Sequence, residues 1–207
     1  MRAIIFLALL CVAALAIKKD ELLDEPILAQ TDAEAELGQA GTYVGEYMIA
    51  SKHSGKVLDI SGGSTRSGAA VIQEHSHGGK NQRFEIRKVE RDPRTGKDYF
   101  IIKAKHSGKV LTAPASSLNP YIPYAYNGGG IIQFDYQPNN DYQLWSWESD
   151  GRLGNWFKIR NKGNGKFMEV LNSKFDDGTS VCQRDATNGN NQIWCFLEVV
   201  FDKSHDE

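Results

Sequence analysis

The sequence predicts an all-β domain of about twelve short strands, built from one supersecondary unit used three times. Three observations carry this reading. The heptapeptide Lys-His-Ser-Gly-Lys-Val-Leu occurs at residues 52–58 and again at 105–111, and a blurred copy, Lys-Gly-Asn-Gly-Lys-Phe-Met, occupies 162–168. Downstream of each copy a Gln is followed by one residue and an aromatic: Gln82-Arg83-Phe84, Gln143-Leu144-Trp145 and Gln192-Ile193-Trp194. The apolar segments between these markers are short, rich in β-branched and aromatic residues, and bounded by Gly, Ser and Asn, which is how strands and their turns read. Repetition at a fixed period sets the architecture before any local pattern does.

The elements follow in register. Tyr47, Phe100 and Phe157 open the units, and Ile49, Ile102 and Ile159 follow two residues later. Gly55, Gly108 and Gly165 mark a turn, after which Leu58, Leu111 and Met168 lie on a second strand. Third strands run through Val71-Ile72-Gln73, Ile131-Ile132-Gln133 and Val181-Cys182-Gln183, and the closing aromatics begin fourth strands. From opening to closing aromatic the units span about 38, 46 and 38 residues, close to the 40-residue scale of one repeat. The middle unit is longer by an insertion at 116–127 that contains Pro120, Tyr121, Pro123, Tyr124 and Tyr126. A single unit cannot bury its own apolar face. The three are therefore expected to close around a pseudo-threefold axis, with the closing aromatics in the shared core.

The N-terminus reads differently. Arg2 is followed by an apolar run that ends Ala14-Leu15-Ala16. A short positive start, an apolar stretch too short to span a bilayer and a small-residue end predict a secretory signal peptide over residues 1–16. Residues 17–41 are acidic and lack aromatics, which suggests a spacer, a pro-segment or a weak helix. The domain is placed at 42–201 and a polar tail at 202–207. Secretion, or storage in secretory granules, is the expected localisation, and no second apolar run is long enough to span a membrane. The full chain carries 24 Lys and Arg against 26 Asp and Glu. Residues 42–201 alone hold 20 Lys and Arg and 16 Asp and Glu, a net of +4 with the signs mixed throughout. That is not the one-sided footprint of a nucleic-acid binder. Two cysteines, Cys182 and Cys195, remain outside the leader. An even count in a secreted chain leads to the expectation that they form a disulfide, the alternative being two thiols packed as small apolar groups.

Three units of this length, each closing in Gln-x-Trp or a variant, resemble the β-trefoil of ricin-B-type lectins. The strings Ser54-Gly-Lys-Val-Leu-Asp-Ile-Ser-Gly-Gly and Gly78-Gly79-Lys80-Asn81-Gln82 are close to that family's pattern. The resemblance implies one shallow sugar pocket per unit. In the family pattern a carboxylate follows the Val-Leu step, an aromatic follows the Ile-Gln step, and an Asn directly precedes the Gln of the closing motif. The chemistry is direct: a carboxylate accepts sugar hydroxyls, an amide donates and accepts, and an aromatic face covers the ring.

Carried over residue by residue, the first unit has Asp59, Asn81 and Gln82. It has Glu74 where an aromatic is expected, and His75 or His77 stands near as an alternative ring. The second unit has Phe134, with Tyr136 behind it, but Thr112 replaces the carboxylate and Tyr142 the Asn. The third has Glu169, Asn191 and Gln192, with Arg184 at the aromatic position. The resemblance thus makes the first unit the main carbohydrate site and the third a secondary one. Other roles stay open. Asp59 could instead cap the turn at 61–64, and Asn81 and Asn191 could simply shape turns. Gln82, Gln143 and Gln192 recur in every unit, which favours a structural role. His75 and His77 would share one side of a strand, but a third ligand at suitable spacing is lacking, so no metal or other cofactor is expected. His53 and His106 are read as surface turn residues. The tyrosines at 121–126 form either a contact loop for a protein partner or a cover over the barrel. No nucleophile–base signature, zinc motif or phosphate loop is present, and Asp59 with Glu74 is the only carboxylate pair a glycosidase could use. The expected function is a secreted, non-catalytic binder of glycans or glycoconjugates with partly degenerate sites. The alternative is a structural or protein-interaction trefoil that no longer binds sugar.

Overall fold

The computed structural model describes residues 42–114, 129–149 and 155–199. The expected leader at 1–16, the segment before residue 42, the tail at 202–207 and the tyrosine-bearing insertion lie outside the described residues.

Each unit supplies strands in the expected order. The first contains β1 (Thr42–Ser51), β2 (Val57–Ile60), β3 (Val71–Glu74) and β4 (Phe84–Arg91). The second contains β5 (Asp98–Ala104), β6 (Val110–Thr112), β7 (Gly129–Gly130), β8 (Ile132–Phe134) and β9 (Trp145–Ser149). The third contains β10 (Phe157–Asn161), β11 (Phe167–Val170), β12 (Thr179–Arg184) and β13 (Trp194–Glu198). The strand beyond the expected twelve is β7, a two-residue segment that pairs with β12.

The first and last strands of the units close on one another. β1 pairs with β4, β4 with β5, β5 with β9, β9 with β10, β10 with β13, and β13 returns to β1. This ring is a six-stranded antiparallel barrel, which leaves no open edge along those strands. The inner strands form three hairpins, β2 with β3, β6 with β8, and β11 with β12, which cap one end of the barrel. Barrel and cap together are a β-trefoil.

One apolar core fills the barrel and its cap. Phe84, Trp145 and Trp194 are all completely buried, as expected, and each tryptophan indole N–H donates to a backbone carbonyl, of Leu111 at 2.9 Å and of Met168 at 3.0 Å. Ile49, Ile102 and Ile159 stand in register around the axis, as do Leu58, Leu111 and Met168, and then Val71, Ile131 and Val181. Gly55, Gly108 and Gly165 adopt φ of 72°, 71° and 70°. That left-handed backbone is open to glycine at no steric cost, which accounts for the fixed Gly in the repeated heptapeptide.

The units are also interlocked by side chains that sequence reading passed over. Gln73, Gln133 and Gln183, each fully buried, sit in the third strands. The Gln73 amide donates to the carbonyls of Lys174 and Asp176, both at 3.0 Å. Gln133 donates to those of Ser64 and Arg66 at 2.6 and 2.9 Å, and Gln183 to that of Pro114 at 3.2 Å. Each unit thereby holds a loop of its neighbour, and the three links run in one sense around the axis. The heptapeptide histidines add to this: His53 reaches the Ser173 carbonyl at 2.7 Å and His106 the Ser64 carbonyl at 2.9 Å. They are inter-unit clasps rather than plain turn residues.

The expected disulfide is absent. Cys182 and Cys195 are two separate buried thiols. Cys182 lies on β12 between Glu169 of β11 and Gly130 of β7, in the cap. Cys195 lies on β13 opposite Ala50 of β1, on the barrel, where it packs with Ala50 and Val57. Strands β12 and β13 are not paired, and the parity of a cysteine count carries no information about that geometry.

Candidate functional site

The first unit gathers most of its expected polar set around one carboxylate. Asp59 projects from β2 and is buried, 3% exposed. Its Oδ2 accepts from Asn81 Nδ2 at 2.9 Å and Gln82 Nε2 at 2.9 Å, and lies 3.3 Å from His77 Nε2. A buried carboxylate is costly without such partners. Oδ1 takes none of these three contacts. Asn81 and Gln82 arrive on the short 3-10 turn Lys80–Gln82 that immediately precedes β4, so the closing motif itself carries them to Asp59. The Oδ2 contacts of Asp59 run to the closing-motif amides and His77 rather than to the turn at Ser61–Gly63.

Gln82 is structural as well. Its carbonyl accepts from the His77 and Gly78 amides at 2.8 and 3.2 Å, and its amide also donates to the His75 carbonyl at 2.9 Å. Gln143 and Gln192 make equivalent bonds, to Gln137 N–H and the Asp135 carbonyl, and to Thr187 N–H and the Asp185 carbonyl. The recurring glutamine therefore pins the loop before each closing strand.

His75 is not part of the Asp59 cluster. Its ring faces Asp177 at 2.5 Å and Lys56 Nζ at 3.1 Å, while the Lys56 ammonium bonds Asp177 directly. The reason is visible in the other units. Lys109 bonds Asp135, and Lys166 bonds Asp185 at 2.8 Å, each an acid one residue beyond the third-strand position of Glu74. In the first unit His75 occupies that place, and the lysine takes its carboxylate from Asp177 of the third unit. The Lys56 ammonium, with His75 beside it, holds the Asp177 carboxyl well below its ordinary 3.8, at about 2. Glu74, His75 and Asp177 are close enough together to hold a metal ion, but Lys56 already supplies positive charge there.

The second unit lacks the carboxylate of such a pocket. Thr112 Oγ1 accepts from Gln143 Nε2 at 3.2 Å in place of a carboxylate. Tyr142 lies against Gly163, where a Cβ would come within 2.9 Å of its ring. Gly163 occupies the heptapeptide place held by His53 and His106, so Tyr for Asn and Gly for His are one coupled change. Phe134 stands opposite Val110 on the hairpin, and Tyr136 packs against Ile101, Val110 and Leu144.

The third unit keeps the carboxylate but spends it. Glu169 is 3% exposed; its Oε2 accepts from Gln192 Nε2 at 2.8 Å, and its Oε1 lies 3.2 Å from Arg184 Nε. Asn191 turns away, donating to the Val170 carbonyl at 3.2 Å. Burial and the Glu169 charge push the neighbouring Cys182 thiol up to about 11. The Arg184–Glu169 pair was not legible before the register was known, although opposite charges two residues past and one strand across are its signal.

A family profile described as ricin-type beta-trefoil lectin domain-like matches residues 36–123 and again residues 89–184. The shift from 36 to 89 equals that from Lys52 to Lys105, so the two matches are one repeat apart. No curated protein matches the chain. Among solved structures, the designed threefold-symmetric protein ThreeFoil is 32% identical, with a TM-score of 0.61 over 75% of this chain and all of that one. The exo-beta-1,3-galactanase 1,3Gal43A from Clostridium thermocellum is 25% identical, with a TM-score of 0.63 over 75% of this chain and 30% of that one. The ricin B-like lectin of Macrolepiota procera, solved with lactose, is 17% identical, with a TM-score of 0.55 over 74% of this chain and 95% of that one.

Proposed function

The chain belongs to the ricin-type β-trefoil lectin-like family, and on that premise we propose that it is a secreted carbohydrate-binding protein with no catalytic activity of its own, its best sugar site lying in the first unit. The observation that carries this is the Asp59 cluster. Two amide donors and the His77 ring meet at Oδ2, which orients the carboxylate, and Oδ1 is the acceptor for sugar hydroxyls. Asn81 beside it donates and accepts, and His77, about half exposed at 52%, offers a ring edge at the rim. Sites of this kind are shallow, so single-site affinity is weak and useful binding comes from several sites acting together.

The lectin with lactose supports the substrate class. The galactanase match extends over less than a third of that enzyme, and in this chain Asp59 and Glu74 stand in separate networks, Asp59 with amides and Glu74 near His75 and Asp177. Secretion rests on the predicted leader at 1–16. A screen of the purified protein on an array of neutral and acidic glycans tests the proposal: reproducible binding to a defined set is expected. Silence across the array would instead favour a protein-interaction trefoil, a reading that Thr112 in place of a carboxylate already favours for the second unit.

A further inference from the structure

The three hairpin faces differ in a way that the sugar reading does not by itself explain. Directly opposite residues of an antiparallel ladder project to one face. Arg160 of β10 lies opposite Phe167 of β11, and Phe167 lies opposite Arg184 of β12. The third unit therefore presents an Arg–Phe–Arg row. The same row is Ala50–Val57–Glu74 in the first unit and Lys103–Val110–Phe134 in the second. Lys158, two residues before Arg160, shares the face of the row. Arg160 Cζ and Lys158 Nζ lie 5.6 and 5.8 Å from the Phe167 ring centroid, and Phe167 is buried beneath them.

Charge balance on this face is positive. Lys166 is matched by Asp185 at 2.8 Å, and Glu148 lies 3.5 Å from Arg160 Nη1 while also bonding Lys97 at 2.7 Å. Glu169 is the acid nearest to Arg184, and both its oxygens are engaged. Arg184 Nε is buried without a hydrogen-bond partner, and its contact with Glu169 Oε1 at 3.2 Å is an ion pair only. A third of the Arg184 side chain, 32%, remains exposed. The pocket that offers a carboxylate acceptor in the first unit thus offers a planar cation in the third.

Resting on the reading that the units bind sugar, we infer that the third unit takes a glycan carrying an anionic group, a carboxylate or a sulfate ester, with Arg184 as its principal donor. A guanidinium forks onto either group through paired N–H donors, which a lysine cannot reproduce. Arg160 and Lys158 add flanking charge.

The test is titration of the full-length protein with lactose, sialylated lactose and sulfated lactose, for the natural chain and for Asp59→Asn, Arg184→Gln and Arg184→Lys, with melting curves to verify folding. The two acidic lactoses distinguish carboxylate from sulfate. Asp59→Asn should lose lactose but retain at least one acidic ligand. Arg184→Gln should lower acidic-ligand affinity relative to lactose by about 10-fold or more, the scale of a lost charged hydrogen bond. Arg184→Lys, which keeps the charge without the fork, should fall between, and acidic binding should weaken with added salt. Lactose binding with no preference for either acidic ligand, or acidic binding unmoved by Arg184→Gln in a folded variant, would overturn this inference alone. Failure of all three ligands would overturn the sugar reading with it.

Discussion

Burial and the neighbouring Glu169 carboxylate hold the Cys182 thiol protonated, with its pKa raised to about 11, and the consequence is low reactivity at neutral pH. Native protein treated with iodoacetamide at pH 8 should leave Cys182 unmodified. Denatured without reductant, both Cys182 and Cys195 should alkylate; a surviving disulfide in the mass spectrum would contradict the structure. The disulfide expectation failed because cysteine parity is a property of the chain and bonding is a property of neighbouring strands. Other residues were more legible. Asp59, Asn81 and Gln82 could be grouped beforehand because the resemblance to ricin-B-type lectins places a carboxylate after the Val-Leu step and an Asn directly before the closing Gln. His75 could not, since its partner Asp177 is a hundred residues away and is recruited only because Lys56 lacks the acid that Asp135 and Asp185 provide elsewhere. The same distance hid Gln73, Gln133 and Gln183. Their signal was present, a Gln after each third-strand apolar pair, but only the fold shows that it reaches the next unit. Gln133→Ala should cost about 1–3 kcal/mol in a urea titration, because it removes the two hydrogen bonds that a buried amide gives to the Ser64 and Arg66 carbonyls.

At the scale of the element, the fourth strand of each unit begins with an aromatic that closes the core. Trp194→Ala should cost about 3–5 kcal/mol by chemical denaturation, the range for truncating a large buried aromatic. Trp194→Phe should cost less, about 1 kcal/mol beyond the change in volume, since it leaves the Met168 carbonyl without its indole donor. The first unit already uses Phe84 at this position, so the fold accepts the substitution there. The loop carrying Asp177 makes a separate prediction. Its depressed carboxyl contributes stability that is fully present above the ordinary 3.8 and is lost as pH falls through about 2. Asp177→Asn should therefore lower the melting temperature at pH 7, and its difference from the natural chain should shrink toward zero near pH 2. A constant offset across that range would mean that the Lys56–Asp177 clasp contributes nothing ionic. Strand order and periodicity were legible from the repeats, whereas β7 was not, because Gly129 and Gly130 carry no strand propensity and pair only through their position beside β12.

At the scale of the molecule, threefold repetition supplies one barrel, one core and one ring of inter-unit links, while the three hairpin faces have diverged into an acid-bearing, an acid-free and a cationic surface. The common elements are those that bury apolar area and satisfy backbone groups, and they are the ones a repeat reveals. The divergent elements are single side chains, Asp59, Tyr142 with Gly163, and Arg184, whose meaning depends on which neighbours the closed barrel gives them. The central claim is that the first unit, through Asp59, is the main site for neutral sugar. Its most direct measurement is a titration of a glycan identified on the array into the natural protein and into Asp59→Asn, with melting curves recorded for both. The account predicts a folded variant whose affinity falls by about 10- to 150-fold, the equivalent of one charged acceptor bond of roughly 1.5–3 kcal/mol. Unchanged affinity in a folded Asp59→Asn variant would contradict it.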